Sequence, residues 1–272
     1  MSIAATLAGA APLLGLFELG LAALLLIING AISIVFGLGI GRALAIAAVR
    51  MVVQLLLVGT VLRFVFLQSS WPLTLLVALV MIGVAGFEVA HRQSPRILGW
   101  WTYGLGGATL LLVGGLATLY AVGGIVGSRP WYEPRTLLPI LGMVLGNTLT
   151  GVSLALATVI DLARREARSI EARLALGATR WVAFGDVSRQ ALRTALLPTI
   201  NAMSVAGVVT LPGMMTGQIL AGADPELAAR YQIMILLVIA GASGLGALAA
   251  TFGGAWLLTD SRHRLRLDRL QR

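Results

Sequence analysis

The stretch that decides the fold is a polar, arginine-rich segment followed directly by an apolar one. It reads DLARREARSIEARLALGATRWVAFGDVSRQALRTALLP, Asp161–Pro198, and then TINAMSVAGVVTLPGMMTGQILAG, Thr199–Gly222. The first segment is the longest polar interruption of an otherwise apolar chain. The second has the length of a membrane helix but carries a Pro-Gly pair, which breaks helices. We therefore interpret the two as an arm outside the membrane joined to a membrane helix that breaks.

Composition identifies the whole chain as a membrane protein. Of its 272 residues, 58% are hydrophobic and only 11% are charged, which a water-soluble domain does not show. No polar stretch is long enough to bury a core of its own, so we expect a single transmembrane domain over residues 1–272. The absence of cysteine excludes disulfides and thiolate metal sites.

The net charge of +9 comes from twenty arginines, with no lysine. In a protein with several membrane segments, arginine marks the cytoplasmic loops, so we expect a lipid environment and no nucleic-acid partner. The first apolar run follows no basic region, so we expect no cleaved signal sequence.

Seven apolar segments are long enough to cross a bilayer. They span residues 13–36, 43–67, 73–89, 100–126, 136–160, 199–221 and 231–258, with the arm at 161–198 and a basic tail at 259–272. The sequence therefore predicts an all-α integral membrane protein of about seven transmembrane helices. The arm lies between the fifth and the sixth.

Arginine placement predicts the orientation of these segments. With the N-terminus outside and the C-terminus in the cytoplasm, sixteen of the twenty arginines lie on the cytoplasmic side. This follows the rule that positive residues stay inside. The arm and the tail are then both cytoplasmic.

The arm reads as two amphipathic helices, 161–176 and 180–197, separated by a turn. Gly177 is a suitable C-cap for the first helix and Thr179 a suitable N-cap for the second. Such a hairpin either presents a lever to a cytoplasmic partner or lies on anionic lipid with its arginines among the phosphates. The residue pattern alone leaves both readings open.

Two blocks of sequence carry a resemblance to a known family. EARLALGAT, Glu171–Thr179, resembles the EAA loop of ABC-transporter permease subunits. Importer loops usually place Ile-x-Leu-Pro soon after the glycine, whereas here Leu-Leu-Pro lies about 20 residues beyond it. LPGMMTGQILAGADP, Leu211–Pro225, followed by RYQIM, Arg230–Met234, resembles the FetB-type family of ABC permeases. Further similarity lies in PILGMVLGN, Pro139–Asn147, and LRTALLPTI, Leu192–Ile200.

The resemblance implies a permease subunit of an ABC transporter in a bacterial plasma (inner) membrane. It implies a homodimer working with two copies of a cytoplasmic ATPase subunit by alternating access, and it makes export of iron or another small solute the expected activity. The ATPase-coupling contact would then involve Glu171, Ala172, Arg173, Leu174, Leu176, Gly177, Ala178 and Thr179. The chain has no GxxxxGK[ST] motif, so we expect it to bind no cofactor, with ATP-Mg held by the partner.

The break at Pro212 and Gly213 marks a candidate pathway, because freed carbonyls in membrane helices face protein or water. Candidate pathway and gating residues are Asn147, Asn201, Leu211, Pro212, Gly213, Met214, Met215, Thr216 and Gln218. Gly142, Gly146 and Gly217 belong to small-residue packing motifs. Met214 and Met215 are candidate metal ligands, but thioethers suit Cu(I) better than Fe(II), so the metal stays unknown. Two interpretations of this block stay open: a packing helix with a gating kink, or a segment whose side chains bind the cargo directly.

Two other function classes remain. An intramembrane enzyme acting on lipid phosphates would need an acid or base beside an arginine, and Glu88, His91 and Arg92 are the candidates. A carrier or channel that needs no ATPase is the other alternative. We favour a transport subunit that is not itself an enzyme.

Overall fold

The computed structural model describes residues 15–93, 101–260, 262 and 264–270, and every regular element in these ranges is a helix. The first five helices are α1 (Leu16–Val35), α2 (Gly41–Gln68), α3 (Trp71–His91), α4 (Trp101–Val126) and α5 (Pro134–Arg165). The others are α6 (Ala167–Ala175), α7 (Arg180–Ala183), α8 (Gly185–Val205), α9 (Gly213–Leu220) and α10 (Pro225–Leu257). A 3₁₀ turn, Leu267–Arg269, follows. The start of the predicted first segment lies outside the described residues.

Six of these helices, α1 to α5 and α10, are long and apolar enough to cross a membrane. This confirms an all-α integral membrane protein. The predicted sixth segment, 199–221, is not a single helix. Its first part belongs to α8, its last part to α9, and residues 206–212 between them are not helical.

The non-helical segment begins earlier than the Pro-Gly pair that predicted it. Gly207 adopts a φ of +83°, and its N–H donates to the carbonyl of Thr210 at 2.8 Å, which closes a tight turn. Gly213 then opens α9 directly after Pro212. Pro198, by contrast, lies inside α8 and does not end it. A proline removes one backbone donor, and here the helix continues past that loss.

Several helix ends also differ from the predicted ones. α5 extends to Arg165, five residues beyond the predicted membrane segment, before the chain bends at Glu166. α10 starts at Pro225 instead of residue 231. Proline in the first turn and an acidic Glu226 beside it both favour a helix start there.

The described chain forms two compact units. One contains α1, α2 and residues 217–224, and the other contains residues 70–216 and those from Pro225 onward. In the first unit, Gly37 and Gly39 adopt φ values of +64° and +67° in the turn between α1 and α2. Most side chains of both helices are exposed, as expected for surfaces that face lipid or another chain.

The second unit is built around α5 and α10, which approach closely through small residues. A Cβ added at Gly151 would lie 3.3 Å from the carbonyl oxygen of Ser243, and one at Gly246 would lie 2.7 Å from Cγ2 of Thr148. Membrane helices gain their packing energy from such close contacts, because lipid provides no hydrophobic drive between them.

α4 packs through glycines as its composition predicts. A Cβ at Gly106 would lie 2.8 Å from a methyl of Val89 in α3, and one at Gly114 would lie 2.8 Å from a methyl of Leu145 in α5. Two stretches of α4, Leu110–Gly114 and Tyr120–Val126, are π-helical. Such turns are rare and shift the register of the faces beyond them.

The basic tail folds back against the helices. Thr259 and Leu265 form an antiparallel bridge, and the N–H of Arg266 donates to the carbonyl of Leu258 at 2.8 Å. Leu270 is buried in one apolar cluster with Ile170 of α6. The tail is therefore part of the packed structure at the end of α10.

Candidate coupling arm and membrane pocket

The arm contains α6, a left-handed turn, the short α7 and the start of α8. The predicted first helix, 161–176, is divided at Glu166, and the predicted second helix, 180–197, is divided at Phe184. Gly177 follows α6 with a φ of +89°, a conformation that costs side-chain-bearing residues energy. Thr179 then caps α7, because its Oγ1 accepts a hydrogen bond from the N–H of Val182 at 3.4 Å. The turn exposes the tip of the arm.

The outer face of the turn carries most of the predicted coupling residues. Glu171, Ala172, Leu176, Gly177 and Thr179 are exposed, whereas Arg173, Leu174 and Ala178 are half-buried. The side chain of Leu176 is 89% exposed. A large apolar side chain at the tip of a polar turn is typical of a contact with another protein or with lipid.

The inner face of the arm is firmly packed. Phe184 and Ile170 are fully buried in a cluster that also contains Ile160 of α5 and Leu258, just after α10. Val187, from the first turn of α8, belongs to the same cluster. The arm therefore moves only together with the helix ends that form this core, or after that core opens.

An ion pair joins the two sides of the arm. Nη2 of Arg173 donates to Oδ2 of Asp186 at 2.8 Å, and Arg189 contacts the other carboxylate oxygen at 3.3 Å. The hydrogen bond from Arg173 and its charge hold the pKa of Asp186 below the ordinary value. Asp186 thus stays ionised, and the pair links α6 to α8.

The other end of α8 borders a small cavity of about 200 Å³. α5, α8, α10 and the segment where α9 begins all contribute to its wall. The residues that line it are Met143, Asn147, Thr199, Ala202, Met203, Pro212, Gly213, Met214, Gln232, Ile235, Leu236 and Ile239. Four predicted pathway residues, Asn147, Pro212, Gly213 and Met214, thus meet at one cavity.

Two amides supply polarity to this pocket. Nδ2 of Asn147 donates to the carbonyl of Met143 at 2.8 Å, so the amide nitrogen is held against its own helix. Gln232 is 7% exposed, and its Oε1 is buried with no hydrogen-bond partner among the described residues. A buried acceptor without a donor is costly in a membrane, so a bound group that donates to it would be stabilised.

Gln232 is a pocket residue that sequence reasoning did not select. It stands in the RYQIM block, which the family resemblance already singled out. Its position in an apolar segment next to Ile233 and Met234 was the available signal. The pattern could not show that this side chain turns toward the Pro212 break, because that depends on how α10 packs.

The remaining predicted pathway residues do not line the cavity. Asn201 is an exposed residue of α8, and Leu211 is exposed in the non-helical segment. Oγ1 of Thr216 donates to the carbonyl of Pro212 at 3.2 Å, which also accepts the backbone N–H of Thr216 at 3.0 Å. Met215 is half-buried, and Gln218 belongs to the other unit. Their predicted roles stay predictions.

The predicted packing glycines differ in their surroundings. A Cβ added at Gly142 would lie 3.3 Å from the methyl carbon of Met81 in α3, a close helix contact. At Gly146 and Gly217 an added Cβ would meet nothing within 4 Å among the described residues. The packing role predicted for these two positions stays a prediction.

Metal ligation in the pocket rests on thioethers and amides. The described residues contain no group of three or more His, Asp or Glu side chains that would hold a metal ion. Met143, Met203 and Met214 share the cavity wall, whereas Met215 does not. Such a donor set fits a weakly held, transient cargo better than a resident metal.

The residues considered for an enzyme form ordinary contacts near the end of α3. Nε of Arg92 lies 3.4 Å from Oε1 of Glu88, and the His91 ring stacks on Phe87 with ring centroids 5.9 Å apart. An ion pair one helical turn apart is a common surface feature.

Fold and pocket together define a polytopic α-helical membrane protein with a structured arm outside its spans. Residues 16–256 match the family described as "Uncharacterised protein family (UPF0014)". The chain belongs to this family. This confirms the resemblance drawn from the Leu211–Pro225 block.

Three relatives illustrate the similarity. The UPF0014 membrane protein slr1647 of Synechocystis is 38% identical over 219 residues, covering 79% of this chain and 82% of the relative. The "Probable iron export permease protein FetB" of Escherichia coli is 31% identical over 255 residues, covering 94% and 96%. The UPF0014 membrane protein STAR2 of rice is 32% identical over 241 residues, covering 85% and 81%. No solved structure matches the chain.

Proposed function

We propose that this chain is the permease subunit of an ABC transporter, which moves a small solute across the membrane with energy from a separate ATPase subunit. The observation that carries the proposal is the course of α8. This helix starts beside the exposed Gly177 turn, runs without interruption through Pro198, and ends at the pocket that contains Asn147 and Gln232. One rigid element thus connects a docking surface to a candidate cargo site.

The length of α8 suits this role. Its 21 residues extend about 30 Å, so the helix reaches from the arm core at Val187 to the pocket at Met203. A tilt imposed on the arm at one end therefore displaces the wall of the pocket at the other. The non-helical segment 206–212 gives the far end of α8 freedom to move without dragging α9 with it.

The assembly we propose is a homodimer with two ATPase subunits. The support comes from the exposed Leu176 at the arm tip, from the EAA-like sequence and from the permease named among the relatives. A chain without a P-loop motif needs an ATPase partner if ATP drives transport.

Iron is the cargo we propose, on the strength of the name of the Escherichia coli relative. The pocket's amide oxygens would receive the ion together with part of its hydration shell. Deletion of the gene for this protein should raise the cellular content of iron without raising that of copper. A rise in copper alone would instead make the three pocket methionines the relevant ligands.

Co-purification tests the ATPase partnership directly. The wild-type chain is purified gently from native membranes beside a Glu171→Arg, Gly177→Trp variant, and co-purifying ATPase activity is measured. The expected result is activity with the wild type and loss of most of it with the variant. Glu226→Arg, at an exposed site outside the arm, is the matched control and should retain the activity. A folded wild type that carries no ATPase would contradict the proposal and favour a carrier.

A further inference from the structure

The fold of the tail creates a second cleft, away from the Pro212 pocket. After α10 the chain turns back on itself, and the space enclosed between the tail, the end of α10 and α7 has a volume of about 600 Å³. Its polar wall consists of Arg180, Arg262, Arg264, Arg266, Arg269 and Asp260. Arg180 is the first residue of α7 in the arm, whereas the others belong to the tail.

The cleft carries an excess of positive charge: five arginines and Asp260 line it, and a second carboxylate, Asp268, pairs with Arg266 through hydrogen bonds of 2.8 and 2.7 Å. Asp260 pairs with Arg264 at 2.9 Å. Arg180 and Arg269 are bound differently. Nη2 of Arg180 donates to the carbonyl of Asp260 at 3.2 Å, and Nη1 of Arg269 donates to the carbonyl of Leu257 at 2.7 Å.

Those carbonyl contacts orient the two arginines without neutralising them. A guanidinium has five N–H donors, so both side chains keep several donors for a further acceptor. Arginine binds phosphate through two parallel hydrogen bonds, and fixed guanidinium groups lose less entropy on binding. The chemistry of the cleft is therefore that of a site for a phosphate group.

The apolar wall of the cleft indicates which kind of phosphate fits. Trp101 of α4 and Trp256 of α10 both line it, with their rings in an edge-to-face contact and centroids 6.2 Å apart. Both indoles are more than half exposed. Tryptophans at the ends of membrane helices lie at the level of the lipid headgroups. The arginines next to them are thus at the depth of lipid phosphates.

We propose that this cleft binds the phosphate of an anionic phospholipid, with the acyl chains passing the exposed Trp101–Trp256 pair. Because Arg180 belongs to the arm and Arg269 to the tail, one phosphate bound by both holds the arm against the tail. Anionic lipid is then a ligand that stabilises the packed position of the arm. This site is independent of the cargo pocket and of the identity of the cargo.

Native mass spectrometry of the purified full chain tests the site. Phosphatidylglycerol and phosphatidylcholine are titrated against the wild type and against an Arg180→Gln, Arg269→Gln variant. We expect the variant to bind phosphatidylglycerol about 30-fold more weakly, because two arginines near an anionic headgroup are lost. Its binding of phosphatidylcholine should not change. Equal loss for both lipids, or no loss for either, would overturn the proposal.

A matched variant controls for net charge. Arg168→Gln, Arg193→Gln removes two exposed arginines of α6 and α8 that do not line the cleft. It should bind phosphatidylglycerol as the wild type does. If it loses as much affinity as the cleft variant, the binding is a general effect of charge and the proposed site is wrong.

Two further measurements cover misfolding and the source of the phosphate. If the first variant does not fold, Arg180→Lys, Arg269→Lys replaces it, because lysine keeps the charge and a donor for the carbonyls of Asp260 and Leu257 but cannot give a phosphate two parallel hydrogen bonds, so phosphatidylglycerol should still bind more weakly. Phosphatidylglycerol adducts should persist in about 10 mM inorganic phosphate, because the Trp pair adds apolar contact that the free ion lacks. Displacement of phosphatidylglycerol by free phosphate would overturn the lipid assignment. A cleft variant that binds phosphatidylglycerol normally but no longer binds a protein partner would overturn it as well.

Discussion

The two halves of α8 differ in how deeply their side chains are buried. In the half next to the arm, Val187, Ala191 and Ala195 are buried at about 1% exposure or less. In the half next to the pocket, every residue from 200 to 205 is exposed. One helix thus has a first half that is fixed in a core and a second half that touches little of its own chain.

This difference shows how a single helix can transmit a displacement. The packed half moves with the arm, because Phe184 and Ile170 share its core. The exposed half is free to change its distance from α10, or to receive another chain, without opening a core. The predictions below test each half, beginning with the largest expected effect.

Removing the central aromatic ring of the arm core should have the largest effect. Phe184 is fully buried, so Phe184→Ala should lower the free energy of unfolding by about 3–5 kcal/mol. Val208→Ala is the matched control, because Val208 is 91% exposed and its truncation should change stability by less than about 0.5 kcal/mol. Denaturant titration in detergent measures both. Comparable losses would show that the arm core at the start of α8 is no more tightly packed than the segment that follows α8.

Overpacking the α5–α10 contact should cost somewhat less. Gly246→Val places a side chain 2.7 Å from Cγ2 of Thr148, which should destabilise the protein by about 1–3 kcal/mol. Gly241→Val, on the same helix, meets nothing within 4 Å among the described residues. Thermal unfolding of the two variants side by side checks this. If Gly246→Val leaves the thermal stability unchanged, α10 must be able to shift along α5 at little cost.

Changing the pocket amide should separate function from stability. Gln232→Leu removes a buried acceptor that has no described donor, so stability should stay the same or rise. Cargo efflux from cells should fall up to about tenfold if a hydrogen bond to the cargo is lost. Gln190→Leu, at an exposed site on α8, is the control for efflux. Normal efflux with Gln232→Leu would show that this side chain has no role in the pathway.

The arm's ion pair should give the smallest effect, and one that depends on pH. Because Arg173 lowers the pKa of folded Asp186, the stabilisation is fully present above the unfolded value of about 3.9. It is lost as the pH falls through the lower folded value. Asp186→Asn should therefore unfold slightly more easily than the wild type at pH 7, with the difference closing below about pH 4. A pH-independent difference would assign the effect to packing.

Much of the arm was readable from its sequence. Helix caps are local, so Gly177 and Thr179 fixed the turn between α6 and α7, and the alternation of apolar and polar residues gave the helices. The apolar segments likewise gave five spans and most of α10. These features depend on a few neighbouring residues.

The features that depend on packing between distant segments could not be predicted from the sequence. The sequence predicts a helix boundary at Pro198, but the helix continues through it, and the break starts instead at Ala206, where no proline stands. Gln232 lines the pocket because of the way α10 is oriented about its own axis, which packing determines. The tail folds back because Leu270 packs into a core formed by residues of five helices, α5 to α8 and α10, and a short polar segment carries no local signal of such a partner.

Two spin-label distances test the central claim, that α8 carries movement from the arm to the pocket as one rigid body. The chain has no cysteine, so exposed sites can be labelled in pairs: Arg168→Cys with Ile200→Cys, and Ile200→Cys with Leu237→Cys. Labelled protein, diluted with unlabelled protein and bound to the proposed ATPase subunit, is compared before and after nucleotide trapping. We predict a constant Arg168–Ile200 distance and an Ile200–Leu237 distance that changes by at least about 2 Å. A changing first distance with a constant second one would contradict the account.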